Sequence, residues 1–164
     1  MSDDRWLEID DDIQAAVRHF EMAVTLYEQG GLDTASLEGY KSRMAFMHSM
    51  QSAYTCLENS LRRILVLVGE DLPMGEGWHV DLVRRCARAT TRRPAVVDAG
   101  LAAVIDETRR FRHIATRTYD SFVAGSASPA VEAAKAITRT FPLAIEQFKQ
   151  QIDPDGSAAD LQAT

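Results

Sequence analysis

The apolar residues of this chain recur every three or four positions along four long stretches, and no other feature constrains its fold as much. This spacing gathers them on one face of an α-helix, because such positions are neighbours on successive turns. The first stripe consists of Ile9, Ile13, Ala16, Phe20, Val24 and Tyr27. No stretch alternates apolar and polar residues between turn signals as a β-strand would. The pattern therefore predicts an all-α protein.

Glycine and capping residues divide the first half of this pattern into helices. Gly30 and Gly31 end the first helix, because glycine readily adopts the backbone conformation found just beyond a helix C-terminus. Asp33 or Thr34 caps the second helix, since both side chains can accept a hydrogen bond from the first turn. That helix is long, with roughly 30 residues, and it ends at Gly69.

The second half of the chain contains three further helical segments. A short helix spans about residues 78–89, after a loop rich in glycine and proline. Asp98 caps the third long helix, and Ser128 followed by Pro129 is typical of the start of the fourth. Because most connections are short, successive helices should be antiparallel. We therefore predict an up-down four-helix bundle with one additional short helix.

The chain's length and composition fit one soluble domain. It has 164 residues, of which 46% are hydrophobic and 26% charged, so a sizeable core is within reach. We expect a single domain over residues 1–152 and a disordered tail over 153–164. The longest aliphatic run, residues 64–68, is far too short to span a bilayer. The acidic start lacks the apolar region of a secretory signal, so we expect a cytoplasmic protein with no membrane partner.

The sequence lacks the motifs of several classes of enzyme. It contains no glycine-rich phosphate loop, no serine–histidine–aspartate arrangement and no pair of Glu-x-x-His motifs for a di-iron site. Its two cysteines, Cys56 and Cys86, lie thirty positions apart, which predicts neither a disulfide nor a zinc site. We expect no metal and no cofactor.

The net charge of −6 conceals a concentration of positive charge. Nine arginines lie between Arg84 and Arg117, and only three carboxylates oppose them there. An acidic protein with such a segment can present a local surface that binds anions. Alternatively, these arginines pair with the protein's own carboxylates on a solvated face. Charge alone leaves the two interpretations equally open.

Residues 111–119 carry the strongest candidates for a functional site. Arg112 and Tyr119 lie two turns apart on one helix face, and the planar guanidinium of arginine suits phosphate. Arg109 and Arg110 extend the basic surface and are further candidates for phosphate binding. Each arginine could instead form an ordinary surface ion pair, and Tyr119 could be a half-buried aromatic at the bundle edge.

Histidine and glutamate supply the other candidates. His113 could act as a general acid or base near neutral pH, or could be an ordinary surface residue. Glu58 lies on the apolar stripe of the second helix, where a carboxylate needs a partner. Arg112 and Arg109 are candidate partners, and water at the bundle edge is the alternative. His79, at the start of the short helix, is expected to cap or pack.

Several segments, in the right order, resemble one protein family. Residues 54–61, 73–83, 93–96 and 111–113 are similar to segments of the HepT-like branch of HEPN domains, so the resemblance covers roughly residues 40–123. The family motif contains an arginine, a polar residue, a short spacer, a histidine, any residue and a tyrosine. In this chain Arg112 takes the arginine position, His113 the polar position and Tyr119 the tyrosine position.

The resemblance implies a helical bundle that dimerises and a toxin of a toxin–antitoxin pair. Active members are metal-independent endoribonucleases, in which the RNA 2′-hydroxyl attacks, a histidine handles the proton and an arginine stabilises the phosphate. The implied partner is a minimal nucleotidyltransferase that acts as antitoxin and, in some members, transfers AMP to the motif tyrosine. Arg109, Arg110 and Arg112 would then bind RNA, with Glu58 in support.

The motif departs from the family pattern at its histidine position, which is Arg117 here. Arginine cannot shuttle protons near neutral pH. Either His113 has taken over the proton role, or the chain is a degenerate, non-catalytic module that binds RNA, a nucleotide or the nucleotidyltransferase. A third reading is a helical scaffold that only dimerises.

Overall fold

The structure, a computed structural model, describes residues 4–117 and 122–154, with only the backbone of residues 115–117. Its α-helices are α1 (Asp4–Gln29), α2 (Leu37–Leu67), α3 (Trp78–Cys86), α4 (Ala99–Arg117) and α5 (Ser128–Ile152). A short 3-10 helix, Ala124–Ala127, leads into α5. The described residues contain no β-strand, which confirms the all-α prediction. None of the described helices is long and apolar enough to cross a membrane.

The four long helices form a ring of neighbours. The helix α1 packs against α2 and α5, while α4 packs against α2 and α5 from the other side. The short α3 lies against α2 and α4. This arrangement confirms the predicted four-helix bundle with one additional short helix, and it brings α2, α3 and α4 together at one edge.

An aromatic cluster fixes the rotation of α4 against α2. The ring of Phe111 lies 5.6 Å from Phe46, edge to face, and 6.5 Å from Phe122. Such edge-to-face pairs are favourable beyond the area that they bury. Because successive residues of a helix point about 100° apart, burial of Phe111 leaves Arg112 at the margin of the core.

The predicted cap of α2 was wrong by two or three residues. Ser36, not Asp33 or Thr34, caps α2, with its Oγ accepting a hydrogen bond from the Gly39 N–H at 3.0 Å. Asp33 is instead bound by the Ala124 N–H at 2.9 Å, and the Thr34 carbonyl accepts from Arg43. The Asp33 side chain is therefore committed to a loop contact and does not cap α2.

The boundaries of the other helices follow the same logic. Asp98 caps α4 as predicted, since its Oδ1 accepts from the Leu101 N–H at 2.7 Å. The short α3 ends three residues earlier than expected, because the Cys86 carbonyl accepts the N–H of Val96 at 2.8 Å and the chain folds back. Ser128 is the first residue of α5 rather than its cap, because the 3-10 helix continues into it.

A buried arginine organises the loop between α3 and α4. The Arg93 side chain is 2% exposed and pairs with Glu70, with Nε 2.5 Å from Oε1 and Nη2 3.2 Å from Oε2. Its guanidinium also donates to the backbone carbonyls of Arg85, Arg88 and Pro94. Arg93 is thus a structural residue of this loop and not part of an anion-binding surface.

Replacing Arg93 with alanine should therefore destabilise the protein. Breaking a buried ion pair leaves its partner uncompensated, and because Glu70 is partly exposed we expect a loss of about 3 kcal/mol in the free energy of unfolding. The neighbouring Arg92 is exposed, so Arg92→Ala should change it by less than about 0.5 kcal/mol. Urea denaturation of both variants tests this, and equal losses would contradict it.

The cysteines provide a second test of the fold. Burial raises the pKa of the Cys86 thiol to about 12, with Arg93 lowering and Glu70 raising it. Because the thiolate is the reactive form, native Cys86 should resist alkylation at pH 8, whereas the partly exposed Cys56 should react first. Mass spectrometry after iodoacetamide treatment reads both sites, and unfolded protein in urea should react at both. Rapid native alkylation of Cys86 would refute its burial.

Candidate functional site

The edge where α2, α3 and α4 meet is organised around one carboxylate. Glu58, on α2, has a side chain that is only 6% exposed. Its Oε2 lies 2.5 Å from Nδ1 of His79 on α3, and its Oε1 lies 3.9 Å from Nη1 of Arg112 on α4. A buried carboxylate is costly unless it is paired. Glu58 therefore joins three helices through one side chain from each.

A cavity opens beside this carboxylate. It measures about 180 Å³ and is lined by His79, Arg109, Arg112 and His113. Two guanidinium groups and two imidazoles thus face one small space, which favours an anion. Cavities for whole drug-sized ligands are usually larger. The space therefore suits one phosphate group, with the rest of a ligand outside it.

The three arginines predicted to bind phosphate differ in their contacts. Arg109 lines the cavity while its Nε lies 2.6 Å from Asp106. Arg110 is 64% exposed, shares Asp106 at 3.1 Å and does not line the cavity. The contact of Arg112 with Glu58 is an ion pair longer than a hydrogen bond, so it occupies none of the guanidinium's N–H donors, which can bind a phosphate. Arg112 has the better geometry for an incoming anion.

Tyr54 forms a support beneath Arg112. The Arg112 guanidinium lies 5.6 Å from the centre of the Tyr54 ring, a cation–π contact. Burial, and then the nearby charge of Glu58, raise the Tyr54 pKa well above its usual value, against the lowering effect of Arg109 and Arg112. The hydroxyl therefore stays neutral at physiological pH, and Tyr54 acts as a platform rather than as an acid.

The local structure of α3 fixes the position of His79. Gly77, with a φ of 80°, immediately precedes the helix and turns the chain into it. The rings of Trp78 and His79 are stacked with centroids 3.7 Å apart, and Arg62 lies over Trp78 at 5.3 Å. His79 is therefore held between an aromatic neighbour and the Glu58 carboxylate.

The structure brings together part of the predicted site. Arg109, Arg112 and His113 share the cavity, and Glu58 lies against Arg112. Arg117 is the last residue of α4, and its side chain lies outside the described residues, as does all of Tyr119. No group of three or more His, Cys, Asp or Glu residues could hold a metal ion within the described part of the chain.

Two residues of this site, His79 and Tyr54, were not predicted from the sequence. His79 was expected only to cap or pack, and Tyr54 was not singled out within the segment of residues 54–61. The available signal was the Trp78–His79 pair at the start of a short helix, since both residues fall within a segment similar to the HepT-like family. No local pattern indicates that Glu58 lies within reach of that pair.

Comparison with known proteins gives one match. A family model described as HepT-like protein matches residues 45–152, which is about two thirds of the chain. The match includes most of α2 and all of α3, α4 and α5, so it contains each residue of the cavity. Neither the curated proteins nor the solved structures contain a match. The chain belongs to the HepT-like protein family of the HEPN superfamily.

Proposed function

We propose that this protein is a metal-independent endoribonuclease that binds an RNA phosphodiester in the cavity beside Glu58. The observation that carries this proposal is the convergence of two arginines and two histidines on one small cavity. In the reaction, the 2′-hydroxyl attacks the adjacent phosphorus and the 5′-oxygen leaves. The products are a 2′,3′-cyclic phosphate and a 5′-hydroxyl end.

The arginines stabilise the charge that develops on the phosphate. A guanidinium presents paired donors to phosphoryl oxygens, and it cannot lose its charge near neutral pH. Arg112 is supported by the Tyr54 ring and the Glu58 carboxylate, so its position is fixed before substrate binds. Preorganised donors of this kind commonly contribute 100-fold or more, about 3 kcal/mol, to a rate.

Family membership supports a role as the toxin of a toxin–antitoxin pair. In this proposal residues 1–152 act as one domain, and two copies of the chain form a homodimer in the cytoplasm. The antitoxin is a nucleotidyltransferase, which transfers AMP to Tyr119. Arg110, exposed beside the cavity, contacts RNA beyond the cleaved phosphate.

A second candidate function is a non-catalytic module that binds RNA, a nucleotide or the nucleotidyltransferase. The observation in its favour is Arg117 at the motif position of the proton-transferring histidine. A module that binds RNA or a nucleotide would use the same cavity and the same Arg112, because both functions begin with recognition of a phosphate. When the ligand is RNA, the two candidates differ only in whether the bound RNA is cut.

We expect the purified protein to cleave single-stranded RNA in the presence of EDTA, and Arg112→Ala to lower kcat/KM by roughly 100-fold. A fluorophore-labelled oligonucleotide measures the rate, and end-group analysis identifies the cyclic phosphate. Arg18→Ala is the matched control, because Arg18 is exposed on α1, whose main neighbours are α2 and α5. It should cleave at the wild-type rate.

Two other outcomes separate the candidate functions. RNA binding that depends on Arg112 without any cleavage by the wild type would establish the module and contradict the nuclease. In that case Arg117→His should create cleavage, because it restores the motif histidine. If the wild type is a nuclease without that histidine, Arg117→His should leave the rate close to the wild-type value.

A further inference from the structure

The sequence lacks the motif histidine on α4, yet an imidazole reaches the same cavity from a different helix. His79 lies on α3 and lines the cavity, and its side chain is 34% exposed, so it is accessible to a ligand but largely surrounded by protein. The stripe of residues on α4 does not include it, so inspection of the motif alone cannot find it. Its contacts bear directly on proton transfer.

The Glu58 carboxylate sets the protonation pattern of the His79 ring. Oε2 of Glu58 lies 2.5 Å from Nδ1, and a carboxylate can only accept a hydrogen bond, so Nδ1 carries the proton. In a neutral imidazole the other nitrogen, Nε2, then has a free electron pair. Glu58 is nearly inaccessible to water, so solvent competes little for this contact.

Stacking restricts the ring further. The His79 and Trp78 rings lie 28° from parallel with centroids 3.7 Å apart, which opposes rotation about the His79 side-chain bonds. With Nδ1 bound to Glu58 and one ring face covered by Trp78, few orientations remain. A base held in this way loses little conformational entropy when substrate binds.

We propose that His79 is the catalytic base of this protein, and that Glu58 is a positioning residue for both His79 and Arg112. This inference rests on the proposed endoribonuclease function. Nε2 of His79 takes the proton from the 2′-hydroxyl, the new bond forms between the 2′-oxygen and phosphorus, and the bond from phosphorus to the 5′-oxygen breaks. The departing 5′-oxygen takes a proton from water, and His79 returns its proton to solvent.

Other charged groups around His79 are consistent with this assignment. Arg109, Arg112 and His113 come from α4, and Glu58 comes from α2. The arginines attract the phosphate into the cavity, while the carboxylate stabilises the imidazolium that forms. One oxygen of Glu58 is near His79 and the other near Arg112, so a single residue sets the spacing of base and phosphate anchor.

The test compares variants of the full chain on one RNA oligonucleotide in EDTA. His79→Ala removes the base, and His79→Asn removes it while keeping an N–H for Glu58, so the carboxylate is not left unpaired. Both should lower kcat by about 100-fold or more with little change in KM. Added imidazole should restore part of the rate to His79→Ala and none to Arg112→Ala.

The controls test whether the loss of kcat is specific to His79 and whether the variants fold. His48→Gln changes an exposed histidine of α2 and should retain the wild-type kcat. Glu58→Gln keeps the shape of the side chain but should lower kcat and alter its dependence on pH, which a purely structural role would not do. Circular dichroism should give the same helix content for every variant.

The outcomes distinguish this inference from the function on which it rests. If the wild type cleaves RNA and Arg112→Ala does not, but His79→Asn keeps full kcat, the assignment of His79 is wrong and the nuclease remains. Loss of kcat in His113→Gln with none in His79→Asn would give the proton role to His113. If the wild type cuts no RNA at all, the proposed function fails, and the assignment of His79 fails with it.

Discussion

The buried carboxylate of Glu58 is the interaction on which the rest of the site depends. It lies on α2, binds His79 of α3 at 2.5 Å and draws Arg112 of α4 to 3.9 Å. A buried carboxylate needs hydrogen-bond donors or cations as partners, and here those partners are the groups that phosphate chemistry requires. Glu58 therefore needs His79 and Arg112 as partners for its own stability, and the same contacts place these two side chains in the site.

A second buried pair holds α3 in its place. Arg93 closes the loop between α3 and α4 onto Glu70, just beyond the end of α2. A helix as short as α3 is not stable without contacts to the rest of the protein. The two pairs therefore act at different ends of α3. Glu58 binds His79 in its first turn, and the Arg93 guanidinium donates hydrogen bonds to backbone carbonyls at its C-terminal end.

Much of the fold follows from the sequence, whereas the site follows only in part. Apolar spacing predicts four long helices because burial of one helix face leaves a local pattern in the sequence. The Asp98 cap could be predicted because it accepts a hydrogen bond from Leu101, only three residues along the chain. The Ser36 cap was missed, since Asp33 is engaged by residue 124, a contact far along the chain. His79 and Glu58 are 21 residues apart on different helices, and only packing brings them together.

The central claim is that Glu58 binds Nδ1 of His79 and leaves Nε2 to accept a proton. Nitrogen-15 NMR of the histidine rings tests it most directly, because the two tautomers give different ring signals. We expect that neutral His79 carries its proton on Nδ1, that this proton exchanges slowly with water, and that Glu58→Leu, which removes the acceptor, abolishes this preference. A His79 ring protonated on Nε2, or one indifferent to Glu58→Leu, would contradict this claim.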